Sequence, residues 1–208
     1  MTTKPVAAVP VAPSASGTMP TVPSTTAILF LDIQQGLFQS TPECEVVVPK
    51  AIQVAEFGRK HGMTIIHVGL GYEPGYPEIP VDHPTFGRIR DNNLFVKGSP
   101  SSEVPAALKK PTDITLFKHR YSAFSGNSLD MILRAKGIRT LVLMGISTSG
   151  IVLSTVRQAF DLDYRSIVIK DACFDPDPEV HRVLLEKVFT RQATVKTADE
   201  FMTSNSSI

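Results

Sequence analysis

Short, continuous apolar runs alternate with segments of helical periodicity along most of this chain. The apolar runs lack the alternation of half-exposed strands, so they predict strands buried on both faces. They cover residues 27–32, 64–70, 113–118, 140–146, 165–172 and 193–197. Helical spacing predicts helices over residues 47–62, 128–137, 150–163 and 177–189. Gly62 and Gly137 suit helix ends, and Asp177 followed by Pro178 suits a helix start.

This order of elements predicts an α/β fold. Strands that alternate with helices form a mostly parallel sheet, here six-stranded, inside a three-layer α-β-α sandwich of Rossmann-like character. Ligands of such sheets bind beyond the carboxyl ends of the strands. Residues 71–112 interrupt the pattern with Gly, Pro, Asp and Asn, and loops of this length are commonly functional.

The N-terminal residues 1–24 differ from the rest of the chain. Prolines at positions 5, 10, 13, 20 and 23 fall among small residues without apolar periodicity. Such a composition buries too little surface to offset the entropy of ordering, which predicts a disordered tail before a domain over residues 25–204. A continuous apolar signal region is missing, which favours a cytoplasmic protein, although a non-standard export route stays open.

Composition excludes several classes of protein. Lys and Arg number 21 against 20 Asp and Glu, so a net charge of +1 gives no general attraction to nucleic acid or to an anionic membrane. The two cysteines, Cys44 and Cys173, are too few and too far apart for a disulfide scaffold or a structural zinc site. Composition therefore says nothing yet about the chemistry.

Candidate chemistry lies where the predicted strands end. Asp32 ends the first strand and Lys118 ends the third, so the two charges can meet in one crevice and tune a proton donor. The alternative is a solvated aspartate and an unrelated surface lysine. The turn from Gly145 to Gly150 offers backbone N–H groups to an anion, or it is an ordinary tight turn with Ser149 as helix N-cap.

Four segments together resemble one known family. They are LFLDIQ at 29–34, LFKHRYSAFSGNSLD at 116–130, LVLMGISTSGIVLST at 141–155 and DACFDPDPEVHRVLLEKVF at 171–189. In this order they are similar to the isochorismatase-like hydrolases, or cysteine hydrolase superfamily. GYEPGYPE at 71–78 resembles the substrate-loop motif of one large subgroup. The resemblance extends over residues 26–202.

The resemblance implies a catalytic triad with one member replaced. Asp32 and Lys118 match the family aspartate and lysine, but the position of the family cysteine holds Ile151. Isoleucine has no lone pair with which to attack a carbonyl carbon. The resemblance therefore places the chain with the subgroup that lacks the cysteine, which hydrolyses the vinyl ether of isochorismate. Asp32 is the expected general acid, and isochorismate is the best candidate for a small anionic substrate.

Further site residues follow from the same resemblance. It implies a cis peptide between Ile146 and Ser147, with the N–H groups of Ser147 and Ile151 as the oxyanion hole. Gln34 and Phe38 are expected at the pocket mouth. Substrate contacts are also expected from Ser149 and Gly150. Apart from the resemblance, a dianionic substrate needs a cation, and the long loop offers Arg88 or Arg90 ahead of Lys97, because arginine grips a carboxylate with two hydrogen bonds; the alternative is a solvated basic loop.

Two other functions stay open. One is an amidase with a displaced nucleophile, either Cys44 or a serine (Ser147, Ser149 or Ser154). The other is a catalytically silent ligand-binding protein. No cofactor and no metal are expected, because Asp82 and His83 have no second histidine nearby in the loop. By resemblance, a homo-oligomer, dimer or tetramer, is expected.

Overall fold

The computed structural model describes residues 22–206. Within this range, six strands form a single sheet in the order β3-β2-β1-β4-β5-β6, and every neighbouring pair is parallel. Their bounds are β1 Thr26–Leu31, β2 Thr64–Leu70, β3 Ile114–Lys118, β4 Thr140–Ile146, β5 Arg165–Phe174 and β6 Ala193–Lys196. The predicted six-stranded α/β fold is confirmed, and its sheet is parallel throughout.

The central strands explain why the sheet has helices on both faces. Every residue of β1 and of β4 is buried. Because successive side chains of a strand point to opposite faces, complete burial requires a layer on each side. The strand order reverses between β1 and β4, which is where sheets of this kind open a ligand crevice at their carboxyl edge.

The α-helices of the described residues include the four predicted ones, with shifted ends, and three others. Their bounds are α1 Gln35–Ser40, α2 Val48–Lys60, α3 Gly87–Asp91, α4 Leu129–Ala135, α5 Leu153–Asp161, α6 Pro178–Val183 and α7 Ala198–Ser204. A π turn, Thr148–Val152, precedes α5, and a second one, Leu184–Val188, continues α6. Asp177 caps α6 as predicted, because its side chain accepts from the N–H groups of Glu179 and Val180.

The helices α1, α3 and α7 were not predicted. Each has at most seven residues, too few for an amphipathic period to stand out in the sequence. Thr197, predicted as the last residue of the final strand, instead caps α7. Its hydroxyl accepts from the Glu200 N–H while the Glu200 carboxylate accepts from the Thr197 N–H, a capping box.

The excursion after β2 folds onto the body of the protein through a small apolar cluster of its own. The cluster consists of Leu70, Tyr72, Tyr76, Ile79, Phe86 and Phe95, all of them buried. A β-bridge between Tyr72 and Val96 closes the segment. The aromatic residues of this loop therefore pack it down, which fixes the loop beside the carboxyl edge of the sheet.

The predicted tail lies mostly outside the described residues. Its last two residues, Pro23 and Ser24, form a 3-10 turn together with Thr25 that leads directly into β1. The backbone of Thr25 accepts a hydrogen bond from the Arg139 N–H at 2.8 Å, which joins this turn to the start of β4. Among residues 22–206, no helix combines the length and the apolarity needed to cross a membrane.

Candidate active site

Asp32 and Lys118 meet at the carboxyl edge of the sheet. Asp32 follows β1 directly, and Lys118 is the last residue of β3. Since β2 lies between these strands, the two side chains reach across its end, where Lys118 Nζ lies 2.9 Å from Asp32 Oδ2. Both side chains are almost completely buried. The pair predicted from the sequence is therefore present, and the solvated alternative is wrong.

The backbone at Asp32 is in the left-handed region, with φ of +54°. Few side chains tolerate this conformation, and Asp and Asn are among those that do. The Asp32 N–H donates to Val68 O at 2.9 Å, which ties the bend to β2. This turn directs the carboxylate away from the line of β1 and towards Lys118.

Burial dominates the electrostatics of the pair. Loss of solvent raises the pKa of Asp32, while the ammonium of Lys118 opposes that rise. Burial also lowers the pKa of Lys118, opposed by the Asp32 carboxylate. Both shifts favour the uncharged forms, so the aspartate can hold a proton at a pH where an exposed carboxyl is ionised.

One oxygen of Asp32 has no partner. Lys118 Nζ bonds to Oδ2 and also donates to the Arg120 carbonyl at 3.0 Å. Asp32 Oδ1 is buried and, within residues 22–206, makes no hydrogen bond of good geometry, although the Leu70 backbone N–H lies near enough to the carboxylate to oppose the rise of its pKa. Since buried polar atoms are rarely left unpaired, this oxygen is the natural contact for a ligand.

The turn after β4 forms the second half of the site. Gly145 has φ of +152°, and a Cβ there would collide with the Leu31 carbonyl, so β4 approaches β1 as only glycine permits. The next peptide, Ile146–Ser147, is cis, as the resemblance implies. Ser147 and Ile151 lie at the start of a helical segment, where backbone N–H groups have no intrahelical acceptors and are available to an anion. Their role as an oxyanion hole stays a prediction.

Two side-chain contacts fix this turn to the segment after β5. The Ser149 N–H donates to Asp175 Oδ2 at 2.7 Å, and the Thr148 hydroxyl lies 2.8 Å from His181 Nδ1. Ser149 lies inside the turn, so the expected N-cap position is wrong; Ser147 precedes the turn and makes no side-chain cap. Burial lowers the pKa of His181, so its imidazole is neutral at pH 7.

The other residues predicted to contact substrate differ in burial and in their hydrogen bonds. Gln34 donates to the carbonyls of Leu70 (2.9 Å) and Ser102 (2.8 Å) and accepts from the Leu70 N–H, so its amide braces the loop. Phe38 is buried in α1. Arg88 lies on α3 with an exposed side chain. Contact of these three residues with substrate stays a prediction.

The two cysteines are poorly placed for attack. Ile151, at the position of the family cysteine, occupies the turn and is only 1% exposed. Burial raises the pKa of Cys44 to about 11 and that of Cys173 to about 12. Both thiols are therefore protonated at neutral pH and are hidden from solvent, whereas nucleophilic cysteines need an accessible thiolate.

Sequence reasoning missed Arg120 and Tyr121. The Arg120 guanidinium donates to the carbonyls of His119 and Glu78 and stacks over the Phe86 ring at 5.3 Å. Tyr121 packs against Gly150, where a Cβ would lie 3.4 Å from the tyrosine ring. Their position just after β3, at the carboxyl edge of the sheet, is the signal in the sequence that could have found them.

Comparison with known proteins finds relatives along most of this chain. The family model described as Isochorismatase domain matches residues 26–200. YecD of Escherichia coli O157:H7, an uncharacterized isochorismatase family protein, is 32% identical over 185 residues, covering 86% of this chain and 95% of that protein. The ureidoacrylate amidohydrolase RutB of Caulobacter vibrioides is 30% identical over 207 residues, covering 88% and 92% respectively.

A solved structure extends the comparison. N-carbamoylsarcosine amidase from Thermoplasma acidophilum superposes with a TM-score of 0.69 at 32% identity, over 85% of this chain and 98% of that one.

Proposed function

Because the chain belongs to the isochorismatase family, we propose that it hydrolyses a small anionic substrate by acid catalysis from Asp32, without a cysteine nucleophile. Isochorismate is the first candidate. The observation that supports this proposal is the buried Asp32–Lys118 pair with the unpartnered oxygen Oδ1. Ile151 stands at the position that matches the family cysteine, so a thioester route has no nucleophile there.

The chemistry needs one proton donor and one water molecule. Asp32 Oδ1–H transfers its proton to the terminal CH₂ carbon of the vinyl ether, and the electrons of the double bond form the new C–H bond. The resulting oxocarbenium ion is trapped by water, whose proton returns to the Asp32 carboxylate. The hemiketal then collapses: its hydroxyl proton passes to the departing ring oxygen as the C–O bond breaks, which releases pyruvate and a cyclic dihydroxy acid. Asp32 gives the proton of the first step and recovers it in the second, so it leaves the cycle unchanged.

Lys118 serves this chemistry in two ways. Its ammonium is the nearest cation to the acid, so it attracts a substrate carboxylate and moderates the pKa of Asp32. The attraction between opposite charges is stronger in a buried site than in water, because the protein interior screens charges weakly. The N–H groups of Ser147 and Ile151 supply donors to the same anion.

The direct test is to incubate the protein with isochorismate and measure pyruvate. We expect Asp32→Asn to lower the rate by about 10²- to 10⁴-fold, the usual contribution of a general acid. Asparagine tolerates the left-handed backbone at this position, so the variant isolates the loss of the proton. Asp199→Asn, in a surface ion pair with Lys50, is the matched control and should keep full activity. Pyruvate release that survives Asp32→Asn would refute acid catalysis by this residue.

Amide hydrolysis is the second candidate. Relatives that cover most of this chain are named ureidoacrylate amidohydrolase and N-carbamoylsarcosine amidase. The Thr148 hydroxyl also lies 2.8 Å from Nδ1 of the neutral His181 imidazole, which acts as a base towards it only in the tautomer that carries its proton on Nε2. Thr148 is as buried as the two cysteines, so this arrangement needs the turn to open to substrate. Ammonia release from N-carbamoyl substrates, with an acyl adduct on Thr148 or a serine in mass spectrometry, would favour this function over the first. Ammonia release without an adduct, abolished by Asp32→Asn, would indicate attack by water instead.

A further inference from the structure

A closed circuit of hydrogen bonds joins the turn after β4 to the segment between β5 and α6. Two bonds leave the turn: Thr148 Oγ1 lies 2.8 Å from His181 Nδ1, and the Ser149 N–H donates to Asp175 Oδ2 at 2.7 Å. Two more close the circuit. The Asp177 N–H donates to Asp175 Oδ1 at 3.2 Å, and the His181 N–H donates to the Asp177 carbonyl at 2.9 Å. We call these five residues the clamp.

The clamp is shielded from water where it grips the turn. Thr148 and Asp175 are buried, and His181 is half-buried. A buried hydroxyl or carboxylate without a partner costs free energy, so such groups are nearly always paired. Here the pairing partners lie 33 and 26 residues apart in the chain. The turn is therefore held from outside, in addition to its own backbone bonds.

The clamp acts on the turn that offers donors to an anion. Thr148 and Ser149 lie between Ser147 and Ile151, whose N–H groups are the candidate oxyanion hole. Asp175 takes up the Ser149 N–H, so that group is not free for substrate, and its bond fixes the direction of the turn. Donors fixed in advance bind an anion without a cost of reorganisation, whereas donors that move lose part of that affinity.

The bond between Thr148 and His181 does not need the ring to act as a base. With the proton on Nε2, the Thr148 hydroxyl donates to Nδ1; with the proton on Nδ1, the ring donates and the hydroxyl accepts. Either tautomer of the neutral ring keeps the bond. What the turn requires is a hydrogen-bonding group at the place of Nδ1.

We propose that His181 is a positioning residue, which acts through Thr148 to hold the N–H groups of the turn in place for a substrate carboxylate. The inference rests on the proposed function for the anionic character of the substrate. It also assigns Thr148 the role of a hydrogen-bond partner and not of a nucleophile.

Asparagine and glutamine separate the two ring nitrogens of His181. The amide of asparagine lies near the place of Nδ1, and the amide of glutamine lies near the place of Nε2, so His181→Asn should keep the bond to Thr148 and His181→Gln should lose it. Thr148→Ser keeps the hydroxyl and Thr148→Val removes it, which makes the same comparison from the other side. His61→Gln, between α2 and the start of β2, is the control.

Pyruvate is the carboxylate probe, and a single NMR signal reports its binding. Isoleucine precedes serine only at Ile146–Ser147, so carbonyl-¹³C isoleucine with ¹⁵N serine selects the Ser147 amide. We expect pyruvate to move this signal in the wild type. Its dissociation constant should rise about three- to tenfold in His181→Gln and Thr148→Val, the range that one hydrogen bond supplies. His181→Asn, Thr148→Ser and His61→Gln should stay close to the wild type.

Hydrogen exchange checks that the turn itself has loosened. The chain has two Thr–Ser pairs, so carbonyl-¹³C threonine with ¹⁵N serine gives two signals, those of Ser149 and Ser204. Exchange of the Ser149 N–H, which Asp175 holds, should become about tenfold faster in His181→Gln and remain slow in His181→Asn. Ser204, in α7, is the internal reference and should not change.

Several results would overturn the proposal. They are a Ser147 signal that pyruvate does not move, equal pyruvate affinities in His181→Asn and His181→Gln, and Ser149 exchange that is the same in both. An acyl adduct on Thr148 would instead identify a nucleophile and would also overturn it.

These measurements need no turnover, so they separate the two proposals. A pyruvate affinity that depends on the clamp, in a protein that does not release pyruvate from isochorismate, supports the positioning role and refutes the reaction. Release of pyruvate at the same rate in His181→Asn and His181→Gln, with equal affinities, supports the reaction and overturns the positioning role.

Discussion

At the residue scale, the protonation of Asp32 decides how the rate depends on pH. Catalysis needs the protonated acid, so the rate should fall as the pH rises through the pKa of Asp32. Burial raises that pKa above its ordinary value of 3.8, and Lys118 restrains the rise. Lys118→Met removes the restraint, and we expect the pKa of Asp32 to move to higher pH.

Two measurements check this expectation. The falling limb of the pH profile of kcat/KM should lie at higher pH in Lys118→Met than in the wild type. The ¹³C resonance of the Asp32 carboxyl, followed by titration, reports the same pKa even where the variant is inactive. A titration that moves to lower pH in the variant would show that Lys118 does not stabilise the carboxylate.

Asp32 and Lys118 could be found from sequence as strand-end candidates, because parallel strands bring their carboxyl ends to one edge, but it was the family resemblance that singled them out as a pair. Their contact across β2, and the unpartnered Oδ1, could not, because a sequence carries no distances. Tyr121 was missed for a related reason. Its ring contacts Phe86 and Gly150, which are far from it in the chain, so no local sequence pattern shows these contacts.

At the element scale, a buried ionic cluster joins α2 to β2 and to the start of β3. The Asp113 carboxylate accepts from Arg59 Nε at 3.2 Å and from its Nη2 at 2.5 Å, and lies 3.1 Å from His67 Nε2. Asp113→Asn leaves Arg59 and His67 without their anion. We expect a loss of about 3 kcal/mol in the free energy of unfolding, measured in urea.

The surface pair Lys50–Asp199 provides the control. Asp199→Asn should change the free energy of unfolding by about 0.5 kcal/mol or less, because exposed ion pairs contribute little. Equal effects of the two substitutions would mean that the Asp113 cluster is no more stabilising than a surface pair.

The same cluster makes stability depend on pH in two stages. Burial lowers the pKa of His67 below its ordinary value of 6.5, although Asp113 opposes this shift. As the pH drops below 6.5, the unfolded chain therefore binds a proton at His67 before the folded protein does, and the free energy of unfolding falls. Burial would raise the pKa of Asp113, but Arg59, the Lys110 N–H and His67 hold it below 3.8, so a second loss follows at lower pH. His67→Phe should flatten the first stage in urea titrations, though His119 and His181 contribute to it as well. If the free energy of unfolding depends on pH as steeply in His67→Phe as in the wild type, His67 does not cause the first stage.

Elements buried on both faces were the easiest to predict. The strand β4 was predicted over its observed range, because a short continuous run of apolar residues between Arg139 and Ser147 is typical of a strand buried on both faces. Short elements such as α1 and α3 depend on what they pack against. The π turn before α5 escaped prediction because its Gly and Ser residues follow no helical period.

At the scale of the whole molecule, the two cysteines report on global opening. Cys44 lies in the 3-10 segment Pro42–Val47 and Cys173 in β5, both inside the main apolar core. With pKa values of about 11 and about 12, both should be inert to a thiol reagent such as DTNB in the native protein at pH 7. Denaturant should release two reactive thiols per chain.

The rates of labelling carry the sharper information. If the domain unfolds as one cooperative unit, both thiols should react at one rate that follows the urea unfolding curve, since neither is reached by local fraying. Cys44→Ser and Cys173→Ser variants assign the two signals. Rapid native labelling of Cys44 with a parallel loss of turnover would instead identify it as a displaced nucleophile and overturn acid catalysis without a thiol. Slow, equal labelling with full turnover leaves Asp32 as the group on which catalysis depends.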